Sequence, residues 1–575
     1  MDANEINSVH SFSWLDYLVF SLTLGVSAFI GIYFGCFGKR QNTPDEYLKG
    51  GRKMQALPIA ISLVASQIST NTLLGAPVDV FTYGSNYLWL GVSILIECSI
   101  AYYVFLPVFF KLQVTSIFEY LQLRFDKRVR ALGSFINLLS ILVYSPSVIY
   151  LPSLAFSQVT GVNLHLIAAV TSCVCIFYTA IGGIKTVVWT DTVQFFIMAI
   201  TFIVVFCLGL SKVNGISHMF QRASIGHRVD IFDFSFDPFL RDSFGALIIG
   251  GTVYWLSNTA VDQMSIQKLL SLPKFEDVKK SIIFYAIGLC LIQVFALLIG
   301  LLLYSRYWNC DPLLSGEVSR AEQLIPYFVM EISRDVSGLP GIFTAGVFSA
   351  GLSSFSACLN TMSAIIYHDY VLSFVPKDIS EESGGKILKL LVVVTGVLTA
   401  LSVLILEKLG RVFSTVTALL SGTVGPTLGM YIQGVLIPMV NSEGAFYSGI
   451  LGLVTSFWII IQNQRYQNEN VSEFLVPTSL EGCNISTTYN STITTDVSND
   501  DMFLLYRISF WYISVIGMTV TVVSGVVISC FTKHDKTPLS LDHLSPLVHA
   551  FVKQGPTRHS KSIIEEEQDV RNTLM

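Results

Sequence analysis

Charged side chains are scarce in this chain of 575 residues: they make up 13% of it, against about 25% in soluble domains. The counterpart is a hydrophobic share of 52% and a mean hydropathy of +0.61. So little charge combined with so much apolar bulk excludes an intrinsically disordered, collagenous or small disulfide-framework protein. Neither sign of charge dominates, with 35 Lys and Arg against 40 Asp and Glu, so nothing marks nucleic acid as the main partner. The nine histidines form no metal-ligand cluster by spacing. No glycine-rich phosphate loop is present, which removes ATP as an energy source. What is left is a polytopic, all-α membrane protein.

The charge-free stretches locate the spans. Runs without Asp, Glu, Lys or Arg cover 17–38, 54–78, 80–96, 98–110, 131–184, 192–211, 243–261, 281–305, 336–368, 390–406, 412–442, 444–464 and 508–532. A spanning helix needs about 20 apolar residues. The run 131–184 is long enough for two, with Thr160-Gly161-Val162-Asn163 as the turn between them, whereas 80–96 and 98–110 make one span interrupted only by Glu97. Thirteen transmembrane helices are expected. The first apolar run has the length of a span and lacks a basic flank and a small-residue cleavage site, so it does not read as a cleavable signal peptide.

An odd number of spans puts the termini on opposite sides. With residues 1–38 read as an extracellular N-terminus and first helix, the loops on the other side collect 24 of the basic residues against 11 outside. The positive-inside rule therefore makes that side, with the tail 533–575, cytoplasmic. The loop 465–507 between the last two helices (443–532) is then extracellular, and it carries three glycosylation sequons, at Asn470, Asn484 and Asn490. Cys483 lies in the same loop and Cys310 in another external loop, so an oxidising compartment favours a bond between them. The chain ends Thr573-Leu574-Met575, the form of a short PDZ-binding tail.

Two spans do not read as simple apolar rods. Span two carries six polar side chains, Ser66, Gln67, Ser69, Thr70, Asn71 and Thr72, just before Gly75 and Pro77. In lipid such a segment must line a cavity or be covered by protein. Span seven contains Gly250-Gly251 followed by Tyr254-Trp255 and Ser257-Asn258-Thr259. These spans are five apart, the relation expected of two inverted five-helix repeats, 54–211 and 242–442, each with a broken first helix. Span nine puts Ala350, Ser353 and Ser354 on one helical face, and paired hydroxyls are hard, neutral oxygen donors of the kind Na⁺ accepts. Packing of small residues between membrane helices is the competing reading of all three features.

Several longer motifs carry a resemblance. Phe177-Tyr178-Thr179 through Gly182-Gly183, Lys185, Trp189-Thr190-Asp191 and Gln194, together with Phe118-Glu119-Tyr120-Leu121 and Asp262-Gln263 through Gln267-Lys268, resemble the sodium/solute symporter family in its own order. The branch most alike holds the sodium-coupled monocarboxylate, multivitamin and iodide transporters. The resemblance implies a LeuT-type core of five plus five helices, with one extra N-terminal and two extra C-terminal helices. It also implies a Na⁺ site made by the carbonyls of Ala65, Ile68 and Ala350 and the hydroxyls of Ser353 and Ser354. A substrate cavity is expected from Gln67, Ser69, Thr70, Asn71, Tyr144, Trp255, Asn258, Ser414 and Thr417. Asp191 is assigned a coupling or gating role, against the alternative of a solvated residue at the end of span six.

The chain departs from the branch at Asp262, where Asn is usual, at Lys268 for Arg, at Asp79 for Glu and at Ser414 for Gln. Gly91 stands where sugar carriers of the family place a carboxylate, which argues against glucose. The expected function is a plasma-membrane symporter that brings in a small anion with Na⁺: a monocarboxylate first, then biotin, pantothenate or iodide. A symporter-like sensor or sodium-leak channel is the alternative. A membrane-embedded enzyme finds no catalytic constellation on any span.

Overall fold

The computed structural model describes residues 12–37, 43–333, 336–374, 380–407, 412–469, 476–483, 503–532 and 540–551, and among them every regular element is helical. Asn470, Asn484, Asn490 and the C-terminal tripeptide lie outside the described residues, as does the side chain of Ser414. The helices that matter here are α1 (Trp14–Ile32), α2 (Ala56–Gln67), α3 (Ala76–Tyr83), α4 (Leu90–Ile100), α5 (Lys127–Thr160) and α6 (Leu164–Lys212). They continue as α7 (Gly251–Ala260), α8 (Gln263–Leu269), α9 (Phe275–Tyr307), α10 (Leu339–Ile365), α11 (Glu381–Leu406), α12 (Val412–Leu436), α13 (Ser442–Glu469) and α14 (Phe510–Phe531).

By length and apolarity, nine helices among the described residues are able to cross a membrane, or ten if the pair α2 and α3, bent by 56°, counts as one. α6 accounts for part of the distance from thirteen. Its 49 residues would run about 74 Å if straight, more than twice the hydrocarbon core of about 30 Å. It bends at Gly183 (φ 52, ψ −154), a conformation that glycine alone adopts without a Cβ clash.

Local chemistry explains the other boundaries. Asp126 caps α5, its carboxylate accepting from the amides of Arg128 and Val129 at 2.9 Å. Gly161 ends that helix with a left-handed residue and Asn163 caps α6, which puts the turn inside Thr160–Asn163. Gly250 and Gly251 do not break their span, for both have helical angles. They allow close packing instead: a Cβ on Gly250 would lie 2.6 Å from the Trp511 carbonyl oxygen. The break falls after them, at Val261 and Asp262 (φ −95, ψ 134).

α10 is the central rod. All of its residues from Phe343 to Ile365 are buried, as expected of a helix with no solvent or lipid face. α5 and α6 pack along it, and the broken α2 touches it as well. Large apolar side chains such as Phe29, Ile200, Leu398 and Ile405 are exposed on α1, α6 and α11 and form the belt that would meet lipid.

The connecting segments gather at two ends. At one, Arg228 donates to the carbonyls of Val476 and Pro477, Asp311 N to Ser479 O, and Val476 N to Thr82 O. Cys310 and Cys483 are disulfide-bonded there, with Cα atoms 5.0 Å apart. At the other end Lys49 bonds Val114 O, Gln267 bonds Leu48 O and Lys111 pairs with Asp542. Lys49 is buried there, and desolvation above all, with Arg52 nearby, lowers its pKa to about 8.

Candidate functional site

The break in span two builds the site. α2 stops at Gln67 and Ile68 leaves helical geometry (ψ 86). A single π turn, Asn71–Gly75, then restarts the chain into α3. At the break the amide of Ser69 donates to Gln67 O, so the Ala65 carbonyl loses its ordinary helical partner. Ala65, Ile68 and Ala350 are all buried. Facing the break, Ser354 Oγ donates to Ser66 O at 3.0 Å and Ser353 Oγ donates to Asp191 Oδ1 at 2.7 Å. Ser356 is turned back onto its own helix, donating to Ser353 O at 3.0 Å.

Asp191 is fully buried (0% exposed), so the reading of it as a solvated boundary residue is corrected. Its second oxygen accepts from Ser62 Oγ at 2.6 Å and from Lys268 Nζ at 3.0 Å. Lys268, on α8, also reaches Ser62 O at 3.1 Å and Ser66 Oγ. One carboxylate therefore ties three helices together: α2 through Ser62, α8 through Lys268 and α10 through Ser353. Burying an ion pair is costly unless hydrogen bonds satisfy both charges, and here hydroxyls and a carbonyl do so. Local sequence signals could not reveal this, because Lys268 lies 77 residues from Asp191.

Beside the break lies a cavity of about 110 Å³. Gln67, Ser69, Asn71, Tyr144, Trp255, Asn258 and Thr417 all line it. Thr70 does not. It is buried on the opposite side of the break, its hydroxyl 3.5 Å from Val347 O on α10, because the irregular turn rotates it away from its neighbours. Tyr87, Tyr254, Asp262 and Trp511 also line the cavity, and the sequence did not single them out as substrate-facing. Trp511 comes from the last helix, α14, and its indole N–H donates to Asp242 Oδ1 at 3.1 Å. Two polar atoms of the lining are buried without a partner: Asn71 Oδ1, an acceptor, and Trp255 Nε1, a donor. Unpartnered buried groups around a void are what a bound polar solute would satisfy.

Glu97 does not line the cavity. It is buried on α4, where Oε1 accepts from Thr259 Oγ1 at 3.1 Å and Cys98 Sγ at 3.2 Å. It thus links α4 to α7, the helix that carries Trp255 and Asn258. Gly91 also lies away from the lining, its carbonyl 3.3 Å from Cys290 Sγ.

Comparison with known proteins fits this geometry. Residues 47–452 match the model of the sodium:solute symporter family. Sodium-coupled monocarboxylate transporter 2 of Mus musculus is 35% identical over 527 residues, covering 91% of this chain and 85% of that one. Sodium-coupled monocarboxylate transporter 1 of Homo sapiens is 35% identical, covering 90% and 87%. The human sodium/iodide cotransporter is 32% identical, covering 92% and 86%. Among solved structures, a Na⁺-coupled sialic acid symporter in a substrate-bound outward-open state superposes with a TM-score of 0.74 at 22% identity, over 91% of this chain and 99% of that one. Its fold is shared by this chain. With the family model spanning most of the helices and relatives matching nearly end to end, this chain belongs to the sodium:solute symporter family: it is a multi-pass, sodium-coupled transporter and not an enzyme.

Proposed function

We propose that this protein imports a small organic anion together with Na⁺ by alternating access, with a monocarboxylate as the favoured solute. The observation that carries the reading is the Ser354 hydroxyl meeting the broken end of α2 while its neighbour Ser353 bonds the buried Asp191. Na⁺ takes the oxygens of Ser353 and Ser354 and the carbonyls of Ala65, Ile68 and Ala350. It bridges the broken helix to α10 and so holds one bundle against the other. The solute sits beside the break, among Gln67, Ser69, Asn71, Tyr144, Trp255, Asn258 and Thr417. A carboxylate oxygen there meets the free N–H of Trp255. Asp191 links the ion to movement of α2 and α8, so loss of Na⁺ inward loosens three helices together. The potential adds about 2.3 kcal/mol per charge per 100 mV to the driving force.

The solute class rests on two supports. The relatives named for their solutes carry monocarboxylates and iodide, all anions. A cavity of about 110 Å³ is below the 300–1,000 Å³ of drug-sized sites, which favours a short acid over biotin or pantothenate. Uptake of labelled lactate, butyrate, biotin, pantothenate and iodide into transfected cells, with Na⁺ and with choline in its place, tests this. Saturable, Na⁺-dependent, concentrative uptake of a short acid is expected. Non-saturating Na⁺ current without solute accumulation would favour a leak channel, and no flux at all would favour a sensor.

The architecture proposed with it has thirteen spans: the bent pair α2 and α3 as one, α6 as two, and α7 and α12 completing the core. Residues 54–211 and 242–442 are the two inverted repeats, and the protein sits in the plasma membrane with its N-terminus outside and its tail inside. Support comes from the sorting of the connecting segments into the two ends assigned by basic charge. Deglycosylation should raise gel mobility, and replacing Asn470, Asn484 and Asn490 together by Gln should remove that shift. A shift that persists in the triple variant would contradict this orientation.

A further inference from the structure

Next to the solute cavity lies a smaller void, about 20 Å³, lined by Asn137 and Ser140 of α5, Asp262 at the broken end of α7, and Thr423 and Thr427 of α12. That is enough for one water-sized particle, which needs roughly 10–15 Å³. Ser257, Asn258, Val261 and Val424 complete its lining. Asp262 brings a carboxylate, and among the described residues no ion pair involves it. Its hydrogen bonds come from neutral donors: Asn137 Nδ2 at 3.0 Å, the amide of Met264 at 3.0 Å and the neighbouring amides of Gln263 and Ser265. Asn137 is itself buried (7% exposed), and with its amide committed to Asp262 its carbonyl oxygen has no partner. The hydroxyl protons of Thr423 and Thr427 are spent on the carbonyls of Leu420 and Thr423, at 2.9 and 2.8 Å. They therefore offer the void oxygen lone pairs.

We propose that this void is a second monovalent-cation site, distinct from the one at Ser353 and Ser354, and that it takes Na⁺ in the working cycle. A carboxylate inside a membrane helix bundle demands a partner, and a hard cation is satisfied by oxygens, here an unpartnered amide oxygen and hydroxyls. The site rests on the reading of the chain as sodium-coupled, and it resolves a conflict within that reading. A cavity that takes an anion is lined by the carboxylate of Asp262, and no Lys, Arg or His lines it. With a cation bound beneath, the same wall presents no net negative charge to the solute.

The test is ²²Na⁺ binding to the purified full-length protein by scintillation proximity, without added solute. Asp262→Asn removes the charge and keeps a side chain that caps α8 equally well. It should bind one Na⁺ fewer than the parent, or bind that ion at least about tenfold more weakly, the scale for losing one charged contact. Ser354→Ala should weaken a different Na⁺, and the double variant should lose both. If Asp262→Asn keeps the parent's stoichiometry and affinity, the void holds only water and the proposal falls. A parent-like isotherm in Ser354→Ala counts against the principal sodium site and leaves this one standing. Thr427→Val removes one lining oxygen without touching the cap, and carries the test if Asp262→Asn does not fold. It should raise the Na⁺ concentration for half-saturation, and an unchanged isotherm would overturn the proposal.

Discussion

Asp191→Ala should all but abolish the protein at the cell surface, because it strands the ammonium of Lys268 in a buried site. Lys268 is 3% exposed, and its other partners, Ser62 O and Ser66 Oγ, carry no charge. Removing one member of a buried pair costs about 3–5 kcal/mol, a large part of the stability of a typical domain. Pairing that change with Lys268→Met removes both charges, and the double variant should recover much of the surface expression. It should not recover Na⁺-dependent uptake, since the carboxylate that bonds Ser353 and Ser62 is gone. Surface biotinylation and uptake on the same cells separate the two effects. If Asp191→Ala alone reaches the surface at the parent level, the carboxylate is not holding these helices together. If the double variant transports as the parent does, Asp191 has no coupling role.

The second large effect is expected at Ser353 and Ser354. Alanine at either removes one oxygen ligand without adding bulk. Losing a hydrogen bond or contact to a charged group is worth about 1.5–3 kcal/mol, or roughly 10- to 150-fold in the Na⁺ concentration for half-maximal uptake at 1.4 kcal/mol per decade. Ser353→Ala also deprives Asp191 of a 2.7 Å donor, so it should lower surface expression as well. Ser354→Ala loses a bond to a neutral carbonyl and a contact with the Tyr144 hydroxyl but leaves the partners of Asp191 in place, and is the cleaner variant. Ser356, bonded back to Ser353 O, is the control and should keep the parent's Na⁺ dependence. Packing alone predicts the reverse: reduced expression in all three, with the Na⁺ dependence of the surviving molecules unchanged.

Much of this arrangement was legible because membrane chains expose their exceptions. Six polar side chains in one span require a break or a cavity, and the break lies among them at Ile68. The turn between the helices at 131–184 was readable from Gly161 and Asn163, whose roles as left-handed terminator and cap are local. Gly250-Gly251 misled for a physical reason: a glycine pair permits either a kink or a close helix approach, and only the position of Trp511 decides between them. The burial of Asp191 was not legible, because a span delimited by its charges ends at any carboxylate, although one compensated by Lys268 continues inside. Trp511 was invisible as a cavity residue, since it belongs to a helix outside the repeats and its place depends on packing between residues some 250 positions apart. Thr70 shows the limit of reading a polar run as one face, because an irregular backbone turns successive residues to different sides.

The central claim, that the Na⁺ gradient drives solute inward, is tested most directly by reconstituting the protein into liposomes and following labelled lactate or butyrate. An inward Na⁺ gradient should produce a transient internal concentration above the external one. The overshoot should vanish when an ionophore collapses the gradient or when K⁺ replaces Na⁺. Accumulation that survives both treatments, or equilibration that never exceeds the external concentration for any solute in the panel, would contradict the account.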